Sequence, residues 1–190
     1  MGVKMSKVAK RAHAYQYVLI VMRHAKAEAF GNGDDRQRQL TDKGVKQAKV
    51  VAKGLSDLDL VPDRIACSGA DRTRQTLDRM LKVFGDKPKV DMRQSLYEGG
   101  VQSVLDELKS TKTKRKILMV LGHEPTVSIS CQWLATSDSD PERLDLLNLG
   151  MSPANLAVFG SNEPFKDWQV HSATLLAILA MERMMETSCA

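Results

Sequence analysis

The sequence predicts an α/β protein, a three-layer sandwich with a mostly parallel central sheet flanked by helices. Three observations carry this. The runs at 17–22 and 117–121 are strand-sized and wholly apolar, as in strands buried on both faces. Segments with apolar residues at helical spacing alternate with the runs. Residues fit for chemistry follow each run, where ligands bind in such sheets.

The elements read in order as follows. Tyr17-Val-Leu-Ile-Val-Met22 is the first strand. A loop with Gly31, Asn32, Gly33, Asp34 and Asp35 follows, and Thr41 reads as a helix N-cap. Val45, Ala48, Ala52 and Leu55 then face the core at helical spacing. Beyond Pro62, residues 64–67 read as a second strand. A helix over about 70–84 carries Leu77, Met80, Leu81 and Phe84 on one face and ends at Gly85. Val101, Val104, Leu105 and Leu108 mark another helix. The third strand, 117–121, leads through Gly122-His123-Glu124-Pro125 into a helix bearing Ile129, Trp133 and Leu134, with Pro125 in its first turn. Residues 156–160 and 168–170 read as late strands, and 175–185 as a closing helix.

The 190 residues suit one domain with its own core. No apolar run approaches the roughly 20 residues of a membrane span, so no membrane partner is expected. Cys67, Cys131 and Cys189 are odd in number and far apart. They fit a reducing, cytoplasmic setting, and no zinc ribbon or other metal site is expected. Cys67 reads as an inert core thiol. The formal net charge is +5, but it is unevenly spread. Residues 1–16 hold four of the 28 basic residues (Lys4, Lys7, Lys10, Arg11) and none of the 23 acidic ones, leaving 24 against 23 elsewhere. Residues 1–16 therefore read as a basic, flexible arm, and 17–190 as one nearly neutral domain. A nucleic-acid partner is not expected.

Arg23-His24 after the first strand, Arg72 after the second and His123 after the third would converge if the strands are neighbours. Basic groups clustered at a strand end need an anion, since burying them unpaired is costly. Phosphate fits guanidinium forks and an adjacent helix N-terminus. A neutral imidazole can also attack phosphorus. The chain lacks the phosphate-cradling GxxxxGK[ST] loop, and Arg36 spoils GxGxxG after Gly31 and Gly33. His13 and His171 read as surface residues, Lys26 as a rim charge, and Ser68 as a turn or phosphate-side hydroxyl.

At this point five ordered segments show a resemblance. Val21-Met-Arg-His-Ala-Lys-Ala27 resembles the RHG or RHA signature of the histidine phosphatase superfamily. Arg38-Gln-Leu-Thr-Asp-Lys-Gly44 with Gln47-Ala48 resembles its RPLTxxGxxQA. Residues 68–76 resemble SPAxRAxQT, Leu96-Tyr-Glu98 resembles LYE, and Leu121-Gly-His-Glu-Pro125 resembles xGHxP. The resemblance implies a phosphoglycerate-mutase-like fold with His24 as the phosphorylated nucleophile. It implies Arg23 and Arg72 as phosphate ligands, His123 as the second pocket histidine, and Glu98 as a candidate proton donor or, alternatively, a helix cap. Gly69 and Gln39 stand where the family has proline, and Asp71 sits beside Arg72, oriented to solvent or to the helix dipole.

Only residues 84–96 separate the second helix from the LYE segment, with no capping insertion. This is similar to small bacterial phosphohistidine phosphatases of the SixA type. The implied activity is a metal- and cofactor-independent phosphatase with a phosphorylated protein (phosphohistidine) or a small phosphate ester as partner. A reading of another class is a non-catalytic phospho-ligand binder.

Overall fold

The computed structural model describes residues 5–31, 33–181 and 184. Helix α1 (Met5–Ala12) precedes strand β1 (Tyr17–Arg23). After a short 3-10 turn come α2 (Asp42–Asp57), β2 (Arg64–Ser68), α3 (Asp71–Phe84) and β3 (Lys89–Arg93). Then follow α4 (Ser95–Glu98), α5 (Gly100–Ser110), β4 (Ile117–Gly122), α6 (Thr126–Leu134) and α7 (Pro141–Asn148). Strands β5 (Leu156–Ser161) and β6 (Thr174–Leu179) complete it.

The six strands form one sheet in the order β3-β2-β4-β1-β5-β6. Its first four members are parallel, while β5 runs antiparallel to both β1 and β6. Two cores flank the sheet, because successive strand side chains point to opposite faces. Val18, Ile20 and Met22 of β1 join Ala48, Leu55 and Met80 on one side. Tyr17, Leu19 and Val21 join Val104, Leu108 and Leu134 on the other. The α/β sandwich is as the apolar runs predict. The Thr41 hydroxyl caps α2 by accepting from Gly44 N at 3.1 Å.

Four expectations need correction. Within the basic arm, residues 5–12 are a helix with Met5, Val8 and Ala12 buried against the sheet. The lysines take its outer face, so the residue spacing outweighs the charge, and this part of the arm is not free. Residues 1–4 lie outside the described residues. The first part of the proposed closing helix is instead β6, paired antiparallel with β5, and helical backbone follows at Met181 and Met184. Its Leu175 faces one core and Leu176 and Ala177 the other, and an unbroken apolar run has no periodicity to separate strand from helix. Trp168 follows a 3-10 turn (Phe165–Asp167) and is not in a strand. On α6, Ile129 and Trp133 are exposed, and Val127, Cys131 and Leu134 face the core. The edge strand β3 and the helix α7 are additional to the expected elements. The Met-rich end is buried at Met184; Met185 and Cys189 lie outside the described residues.

Candidate active site

Strand register assembles the site. Arg23 of β1 lies opposite Gly122 of β4, and Cys67 of β2 opposite Leu121. Three neighbouring parallel strands therefore end together, with Arg23-His24, Ser68 and His123 at their carboxyl ends. The first turn of α3 adds Arg72. His24, Arg72 and His123 are all buried. The two imidazole rings lie 5.2 Å apart, centroid to centroid.

The hydrogen bonds define the His24 tautomer. Nδ1 lies 2.8 Å from the Ala25 carbonyl oxygen, which can only accept, so Nδ1 carries the proton. Nε2 is left with its lone pair, and Arg72 Nε donates to it at 3.1 Å. Burial, followed by the charges of Arg72 and Arg23, lowers the His24 pKa to about 4, although the Ala25 bond opposes this. His123 is lowered to about 3 by burial, then by Arg72 and His24. Both rings are neutral at pH 7. His123 Nε2 pairs with Ser68 Oγ at 2.7 Å, while its buried Nδ1 has no partner. Arg23 donates from Nη1 to the Met151 carbonyl at 2.7 Å, and its buried Nε likewise has no partner. An unsatisfied buried polar group is costly, and Arg23 Nε and His123 Nδ1 are left unpaired at the carboxyl ends of neighbouring strands.

One acidic residue commands the arginines. The Asp35 carbonyl and carboxylate accept from Arg72 Nη1 and Nη2 at 2.6 and 2.9 Å. The same carboxylate accepts from Arg38 Nη1 at 2.8 Å and from Tyr97 OH at 2.8 Å. These bonds hold its pKa well below the usual carboxylate range despite burial. The Tyr97 ring stands edge-on to His123 at 5.4 Å. Asp71, in the first turn of α3, accepts from Gln39 Nε2 at 2.9 Å. Asp35 belongs to a loop that reads only as a turn in sequence, and its role needs the tertiary fold. Arg38 and Tyr97 lie inside quoted segments, so those segments are the signal that points to them.

The remaining sequence candidates separate. Glu98 closes α4, pairs with Gln94 and Arg36, and its side chain is 61% exposed. Neither contact brings it to His24, Arg72 or His123. Ser68 is buried and serves His123. Lys26 lines the rim of the cleft beside His24. His13 and His171 are exposed and bind the carbonyls of Leu58 and Ala135. Burial pushes the Cys67 thiol up to about 12, consistent with an inert thiol. Among the described residues no group of His, Cys, Asp and Glu could hold a metal ion. Nor is any helix long and apolar enough to cross a membrane.

An α/β sandwich with two histidines and two arginines at its strand ends offers the groups that a phosphate would pair with. Residues 19–100 match the model of the histidine phosphatase superfamily, branch 1. The whole fold is similar to a candidate phosphohistidine phosphatase, SixA, from Nakamurella multipartitia, at 29% identity and a TM-score of 0.74, covering 86% of this chain and 95% of that one. A second SixA candidate, from Agrobacterium tumefaciens, shares the fold at 24% identity and a TM-score of 0.69, covering 87% and 99%. A Mycobacterium leprae protein of uncharacterised activity is 25% identical over 161 residues, 82% of this chain and 97% of that one. The first half of the chain thus resembles the histidine phosphatase superfamily and the whole chain has SixA-like similarity, and phosphatase is the activity this supports.

Proposed function

We propose that the protein is a protein phosphohistidine phosphatase acting through a phospho-His24 intermediate. The observation that carries this is the His24 ring, neutral and with its Nε2 lone pair facing Arg72. Nε2 attacks phosphorus in line; the N–P bond forms as the bond to the leaving group breaks. The proton that Ala25 holds on Nδ1 leaves the phosphorylated ring cationic, hence a good leaving group for the next step. Water then attacks phosphorus, the N–P bond breaks, and inorganic phosphate carries off the oxygen and protons of that water. Arg23, Arg72 and His123 stabilise charge on the equatorial oxygens.

Two features favour a phosphoramidate substrate over an ester. A phosphohistidine whose distal ring nitrogen carries a proton leaves as neutral imidazole with no further proton transfer, and Glu98 is exposed and bound to Arg36 and Gln94 rather than to the pocket. The segment between α3 and α4 is a turn and an edge strand, not a lid, which suits a protein-borne group. The similarity to a candidate phosphohistidine phosphatase supports the same class. A small-molecule phosphomonoesterase is the second reading, favoured by the cleft of about 660 Å³ beside His24. A pure phospho-ligand binder needs the arginines but not an unprotonated Nε2.

The test is rapid quench with a 32P-phosphohistidine protein and with small phosphate esters. Acid-labile label on His24 in the wild type and none in His24→Ala is expected, with the higher kcat/KM for the phosphohistidine protein. Turnover without label would overturn the intermediate.

A further inference from the structure

We infer that the cleft beside His24 takes a second anionic group of the substrate, adjacent to the phosphoryl group that is removed. This rests on the reading of His24 as the reacting residue.

Arg23, Lys26, Arg38 and Lys43 face this cleft against one carboxylate, Glu28. Arg38 is neutralised by Asp35. Arg23, Lys26 and Lys43 form no salt bridge among the described residues. A surface lysine without a partner is ordinary, but the backbone that carries these two is held in place. Lys26 is fixed through its backbone: its N–H donates to Gln47 Oε1 at 2.9 Å, and its carbonyl accepts from Thr41 N at 3.0 Å. Gly44 packs so closely that a Cβ there would stand 2.1 Å from the Lys26 carbonyl oxygen. The start of α2, with Lys43 as its second residue, is thus locked onto the segment that carries Lys26.

Lys43 also sits where a cation opposes the helix dipole, a position favouring acidic residues. Helix stability does not account for it; the cleft does. The unpartnered Nε of Arg23 adds a buried donor on the same side. Arg23 is shared with the phosphoryl group, which Arg72 and His123 also serve, so Lys26 and Lys43 are the cations that one phosphoryl group leaves unused. The cleft, at about 660 Å³, is also far larger than one phosphate. The complementary ligand carries further negative charge: acidic side chains flanking a phosphohistidine, or a second phosphate on a small molecule.

The experiment compares kcat/KM for a phosphohistidine peptide flanked by aspartates with one flanked by asparagines. A parallel arm compares a hexose bisphosphate with the hexose monophosphate. In the wild type, one pair should show a preference of about tenfold or more for the more anionic member, weakening with salt. Which pair shows it identifies the source of the charge. In the Lys26→Ala/Lys43→Ala variant the ratio should fall to about one through KM, and Lys26→Arg/Lys43→Arg should restore it. Equal efficiency within both pairs in the wild type, or a preference surviving the double alanine variant, overturns the inference while leaving the phosphatase reading intact. Failure of all four substrates overturns that reading, and this one with it.

Discussion

Two buried arginines bracket strand β2, one at each end, and their surroundings differ. Arg64, at the amino end, donates to Asp91 at 2.8 Å, to Glu107 at 2.5 Å and to Thr111 at 2.7 Å. Its two carboxylates come from β3 and α5, rigid elements that it ties to β2. Arg72, beyond the carboxyl end, has both terminal nitrogens on one loop residue, Asp35, and its Nε on a histidine ring. Asp35 also serves Arg38, and Arg23 has no carboxylate at all within ion-pair distance. Charge is balanced where it builds the fold and left in positive excess where an anion must bind. Buried charge alone therefore does not mark a functional site; the absence of a matching counter-charge does.

The sharpest way to break this contrast is to remove each arginine. Arg64→Met should leave buried Glu107 with Arg93 as its remaining ion-pair partner and Asp91 with Lys89, and cost about 3 kcal/mol of stability, read as a lowered denaturation midpoint. The fraction still folded should keep its kcat/KM. Arg72→Ala should lower kcat/KM by about a hundredfold or more, with a smaller loss of thermal stability. Equal loss of stability and activity in both variants would erase the distinction.

A pH series tests the electrostatic half of the comparison. His24 titrates at about 4 and His123 at about 3 in the folded protein, against an ordinary value of 6.5. Between those values the unfolded chain binds protons that the native state refuses. Stability is thus complete above pH 6.5 and falls as the pH drops toward about 3, and thermal melts across that range check it. The acid limb of kcat/KM should lie near pH 4; a limb at 6.5 would mean that the rings are not desolvated.

Smaller effects refine the picture. Asp35→Asn removes one negative charge from the pocket and should tighten binding of inorganic phosphate about tenfold by calorimetry. Unchanged or weaker binding would show that Asp35 chiefly positions Arg72. The least effect is expected from Glu98→Gln, within about threefold in kcat on a phosphohistidine substrate.

The site segments were legible in sequence because each follows an element of clear periodicity, and the five segments occur in a fixed order. Arg23, His24, Arg72 and His123 meet as expected. Asp35 escaped because nothing local distinguishes it from Asp34 beside it; only the folded loop brings it onto Arg72. Tyr97 and Glu98 were inseparable until α4 placed the ring against His123 and the carboxylate in solvent.

By itself the sequence determined the three central parallel strands, the Thr41 cap of α2 and the residues that meet at the strand ends, since these depend on local patterning and residue type. Tertiary structure alone decided that 174–179 is a strand, that 5–12 packs as a helix, and which carboxylate holds Arg72. Those choices rest on contacts between residues far apart in the chain, where burial outweighs local preference.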